Sequence, residues 1–117
     1  MNDIIFYLGI SLLLLHEMDA VRQKEWHIVP AWRNLKDETG YIIFLLIHIP
    51  LYVPLFFIPG SSENVFIGMD IFLIFHGLLH FFIRNHPHLN FKHWYSWLCI
   101  GGAAIVGGLH LMLLTYH

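Results

Sequence analysis

The stretch LLLLHEMDAVRQKEW, from Leu12 to Trp26, begins as a run of leucines. It passes without a break into His16, Glu17 and Asp19, and then into Arg22, Lys24 and Glu25. As a helix rising ~1.5 Å per residue, the apolar run Ile4–Leu15 is only ~18 Å long. Crossing ~30 Å of hydrocarbon takes about 20 residues. The span therefore continues through His16–Ala20, which places three ionisable side chains at membrane depth or at its inner edge. Such groups are costly in a bilayer; by default they face the protein interior and mark function.

The rest of the chain has the same character. Of its 117 residues 57% are hydrophobic and 12% charged, against roughly 25% charged in an ordinary soluble domain. A soluble chain of this length cannot hide so much apolar surface. Four apolar runs stand out, at about 3–21, 41–59, 65–83 and 94–115. Backbone exposed to lipid must satisfy its own hydrogen bonds, so the runs read as helices. The expected fold is all-α, a four-helix antiparallel transmembrane bundle forming a single integral membrane domain over residues 1–117. The first run lacks the basic n-region and the cleavage site of a signal peptide. A net charge of −2 gives no sign of nucleic-acid binding, and the lone Cys99 excludes an intramolecular disulfide.

Charge fixes the expected orientation. The basic residues are Arg22, Lys24, Arg33, Lys36, Arg84 and Lys92, and the connection PGSSEN (59–64) has none. The positive-inside rule puts the 22–40 and 84–93 loops in the cytoplasm and both termini outside. Depth then follows from helix rise, counted from the cytoplasmic end of each span. Asp19 falls at ~5 Å, His80 at ~6 Å, His16 at ~9 Å, His48 at ~10 Å and His76 at ~12 Å. Three helices thus deliver four histidines to one slab of the inner leaflet. His76 and His80 are i, i+4 neighbours on one face, and His16 and Asp19 are i, i+3 neighbours. Glu17 points about 100° away from His16. Each feature alone has a plainer reading, a polar helix end for His16 and Asp19 or a helix-to-helix hydrogen bond for His48. Coincidence of depth favours a shared site.

Asp70 and His110 fall at ~21 and ~25 Å and form an expected buried pair, structural or supporting the site from behind. His27, His86, His88 and His93 belong to the cytoplasmic loops. In GGAAIVGG (101–108), Ala103/Gly107 and Ala104/Gly108 are small-xxx-small pairs that allow close helix contact.

Histidines with a nearby carboxylate suit zinc with an open position for water. The expected ligands are His16, His48, His76 and His80, with Asp19 or Glu17 as the proton acceptor. At that depth the reaction would be hydrolysis of a lipid-like substrate at the inner leaflet, with membrane lipids as partners. Iron is the alternative, as a di-iron centre or one haem in a membrane oxidoreductase, although the paired H-x-x-H-H boxes of membrane desaturases are absent. A non-catalytic accessory subunit, in a homo-oligomer or a larger membrane complex, is the third reading.

HEMDAVRQKEW (16–26), GYIIFLLIHIP (40–50), GMDIFLIFHGLLHFFIRNHP (68–87) and GGLHL (107–111) together resemble a family of small bacterial four-helix membrane proteins of unknown function. That family opens with a HELDA-type motif. The resemblance implies a place in the bacterial inner membrane and carries polar positions onto His16, Glu17, Asp19, Glu25, His48, Asp70, His76, His80 and His110. It is more distantly similar to H-x-x-E-E-type membrane proteins, with Asp19 in place of their first Glu and Ala20 where the second would stand.

Overall fold

The computed structural model describes residues 2–58, 60, 62–89 and 92–116, with all of their side chains except that of Asn2. Four α-helices form: α1 (Asn2–Arg22), α2 (Asp37–Leu55), α3 (Glu63–Phe82) and α4 (Trp94–Thr115). A short 3-10 turn, Glu25–Ile28, sits between α1 and α2. There is no strand among the described residues. At 19 to 22 residues, each helix is long and apolar enough to cross a membrane.

The helices track the apolar runs, with informative departures. The second run starts at residue 41, whereas α2 starts at Asp37 and carries Asp37 and Glu38 in its first turn. Acidic side chains are favoured at a helix N-terminus, where the dipole is positive, so the helix extends past its apolar core. α2 continues through Pro50 and Pro54 and ends at Leu55; Pro59, the expected end of that run, lies outside the described residues. α1 ends differently. Lys24 takes a left-handed conformation (φ 52°), which turns the chain back beneath the helices instead of away from them. Its ammonium pairs with Asp37 at 2.5 Å and ties the turn to the start of α2.

α1, α3 and α4 make the packed part of the fold. α4 lies against both α1 and α3, while α1 and α3 touch only lightly. Phe6, Ile10, Leu13, Leu73 and Ala103 fill one core, together with Ile58 from the α2–α3 connection. A second core, of Ala20, Trp26, Phe44, Leu89 and Ile100, lies at the end that carries the basic loops.

α2 departs from the expected even bundle. Of its apolar stretch 11% is buried, against 44% for α1. Besides the Lys24 and His27 pairs with Asp37, three bridges hold it among the described residues. Trp26 packs on Phe44, ring centroids 5.6 Å apart, and against Gly40. Glu17 meets His48. Leu55 and Ile58 join the first core at the far end. Between these bridges the seam stays open. The outward faces of all four helices are apolar, with Ile4, Leu46, Ile71, Phe75 and Ile105 exposed.

Candidate metal centre

Successive residues of a helix are rotated by about 100°, so His16, Glu17 and Asp19 leave α1 in three directions. His16 faces α3 and is fully buried. Its ring lies 4.8 Å from that of His76 and 4.7 Å from that of His80, and the two α3 rings are 4.6 Å apart. One ring nitrogen from each of the three falls within 4.8 Å of the others. His76 and His80 are one helical turn apart, which brings both rings onto the face that meets His16.

Glu17 turns toward α2. Its Oε2 lies 2.8 Å from His48 Nε2, and the His48 Nδ1–H donates to the Phe44 carbonyl at 2.6 Å. A carbonyl only accepts, so Nδ1 carries a proton. The Nε2–Oε2 contact then shares one more proton, as imidazolium against carboxylate or as imidazole against carboxylic acid. With both nitrogens engaged, His48 stands beside the three-histidine cluster and not within it, unlike its expected place among four ligands.

Asp19 differs more sharply from its expected role. It turns toward α4, where the Ser96 hydroxyl donates to its Oδ2 and the Gln23 amide donates to its Oδ1 at 3.4 Å. Ser96 is fully buried. Asp19 fastens α1 to α4 and does not line the cleft beside the histidines. The i, i+3 offset from His16 is a 60° rotation, enough to send Asp19 to another neighbour.

Glu25 takes the vacated position. The left-handed Lys24 swings the 3-10 turn under the helices, placing Glu25 Oε1 3.0 Å from His80 Nε2 and Oε2 3.9 Å from His16 Nε2. On the depth scale Glu25 falls in a loop. Only the family resemblance marked it, because a depth count assumes that a loop stays outside. Among the described residues the ion pairs of Glu17 and Glu25 are with histidines, not with lysine or arginine.

The cluster opens into a cleft of about 280 Å³ between α2, α3 and the 3-10 turn. Glu17, Glu25, His48, His76 and His80 form its polar wall, and Trp26, Val29, Trp32, Ile47 and Leu79 its apolar one.

A family model matches residues 2–117. The chain belongs to that family. It is DUF6713, a family of unknown function, so membership extends over almost the whole chain and assigns no reaction. No curated protein and no solved structure matches the chain.

The remaining ionisable groups lie away from the cluster. Asp70 Oδ2 and His110 Nδ1 meet at 2.7 Å, both fully or almost fully buried, between α3 and α4. Phe6 and Phe66 cover the His110 ring. The contact ties α3 to α4, and removing one partner of such a buried pair would leave the other polar group unpaired in the interior. His27 pairs with Asp37 at 3.4 Å, His86 Nδ1 accepts the His88 amide N–H, and His93 stacks on Tyr95. These loop histidines serve the connections.

Proposed function

We propose that the chain is an integral membrane protein, with both termini outside and the 22–40 and 84–93 loops in the cytoplasm. It holds one zinc ion between His16, His76 and His80 and hydrolyses a lipid-like substrate at inner-leaflet depth. One observation carries the reading: three imidazole nitrogens from two helices lie within 4.8 Å of one another beside two carboxylates, with His76 and His80 at the wall of an open cleft.

The donor set fits. Neutral imidazole suits zinc, and three protein ligands with an open fourth position are the catalytic pattern. Nitrogens on one tetrahedral zinc at ~2.0–2.1 Å would sit ~3.3 Å apart, so the trio would close by up to ~1.5 Å through side-chain rotation. Bound zinc supplies acidified water and polarises a carbonyl or phosphoryl oxygen. Glu25, 3.0 Å from His80 Nε2, orients that ring, as carboxylates behind metal-bound histidines do. Glu17 and His48, 2.8 Å apart at the cleft wall, would form the acid–base pair. Asp19 has no part in it.

Iron is the second reading, because a set of imidazoles with carboxylates also suits it. A single haem is disfavoured: the rings of His16, His76 and His80 pack against one another, and His48 would have to leave Glu17.

Purified protein is expected to carry about one zinc per chain by elemental mass spectrometry, the occupancy of a catalytic site with three protein ligands. Glu17→Gln should keep that metal while losing about 10²-fold or more of the turnover of a fluorogenic lipid ester. Iron in place of zinc would move the assignment to oxidation. A folded, metal-free protein would leave only the accessory-subunit reading. Orientation is tested separately. A cysteine at Ser62, with Cys99→Ser, should react with an impermeant thiol reagent from the outside; reaction only from the cytoplasmic side would overturn the topology.

A further inference from the structure

We propose that the seam between α1 and α2 binds a single acyl chain of an inner-leaflet lipid. The ester or amide linkage of that chain lies at Glu17–His48, and its methylenes lie in a groove lined by Ile10, Leu14, Tyr52, Leu55 and Phe56. The inference rests on the membrane placement proposed above and names the substrate class of that site. It does not depend on which metal is held.

Three observations carry it. First, the groove beyond His48 measures about 330 Å³, and all of its lining side chains are apolar but for the Tyr52 hydroxyl. Second, this groove lies one helical turn from the cleft beside the histidines. On α2, His48 lines one and Tyr52 the other, a single turn apart, with ring centroids separated by 5.9 Å. On α1, Glu17 and Leu14 make the same step. The Glu17–His48 contact crosses the seam between the two spaces. Third, the order of polarity along the seam is that of a lipid. Trp26 and Trp32 lie at the end with the basic loops, the carboxylates and imidazoles come next, and the apolar groove runs on toward the middle of the helices. Tryptophans of this kind mark the headgroup level.

The same features exclude other occupants. A polar soluble molecule finds a single polar group, the Tyr52 hydroxyl, in the outer groove. Each half of the seam is near the lower limit of ~300 Å³ for small-molecule pockets, which suits one chain and not two.

The test uses a monoacyl phosphatidylcholine with a diazirine at the chain terminus, added to the full-length protein in phosphatidylcholine vesicles. After photolysis, adducts are mapped by mass spectrometry and metal content is measured on the same sample. Adducts are expected several-fold enriched at residues 10–14 and 52–56 over the exposed α4 turn around Ile105. Leu14→Trp or Leu55→Trp, which fill the groove, should remove that enrichment and leave metal content unchanged. Labelling spread evenly over the outward faces, or enrichment that survives both substitutions, would overturn the proposal. Enrichment in a metal-free protein would keep the lipid site and remove the zinc reading.

Discussion

His80→Ala is expected to reduce bound zinc from about one ion per chain to under a tenth of that, because two imidazoles remain where three are needed for a closed-sided site. His16→Ala should behave alike, since each supplies one of three nitrogens within 4.8 Å. The substitution has a second consequence that metal loss alone does not produce. His80 Nε2 is 3.0 Å from Glu25 Oε1, so its removal leaves a half-buried carboxylate short of a partner. A carboxylate in that state draws in water or swings out. The 3-10 turn should then loosen, and cleavage by trypsin after Lys24 should accelerate in the His80 variant. Glu25→Gln should fall between wild type and His80→Ala, weakening zinc binding about 10–100-fold by the usual effect of a carboxylate behind a metal-bound histidine. His27→Ala, at an imidazole paired with Asp37, should change neither readout. Full zinc retention by His80→Ala would refute the assignment of the ligands.

The second large effect is steric. A Cβ placed on Gly77 would lie 2.6 Å from Ala104 Cβ and 3.5 Å from the Ile100 carbonyl oxygen. Neither is the far end of a flexible side chain, so α3 and α4 must move apart to admit even alanine. Overpacking of this kind costs about 1–3 kcal/mol. Gly77 lies between His76 and His80 on α3, and Asp70–His110 joins the same two helices farther along. Separation at Gly77 therefore strains both the three-histidine cluster and the buried pair. Gly77→Ala is expected to lower the unfolding midpoint in a detergent titration, and Gly77→Leu should fail to give folded protein. The exchange Gly77→Ala with Ala104→Gly returns the missing volume to the other helix and should recover most of the loss. If the exchange is no better than Gly77→Ala alone, close approach at this crossing is not what holds α3 to α4.

Hydrophobic runs and helix rise are local properties, and the chain itself settled what depends on them. Four helices of spanning length follow from the apolar runs, although α2 begins four residues earlier because Asp37 and Glu38 favour a helix start. Helix rise also placed His16, His76 and His80 at one level, and i, i+4 spacing put the last two on one face. Rotation about each helix axis is not local in the same sense, since it depends on which neighbour each face meets. Only tertiary packing decided that Asp19 faces Ser96 on α4, that Glu17 faces His48 on α2, and that His16 alone of the three faces the α3 histidines. It also decided the place of Glu25, which depends on a single left-handed residue, Lys24, that no hydrophobic pattern records. The open seam along α2 has the same origin: composition gave α2 an apolar surface, and packing determined how little of it the other helices would cover.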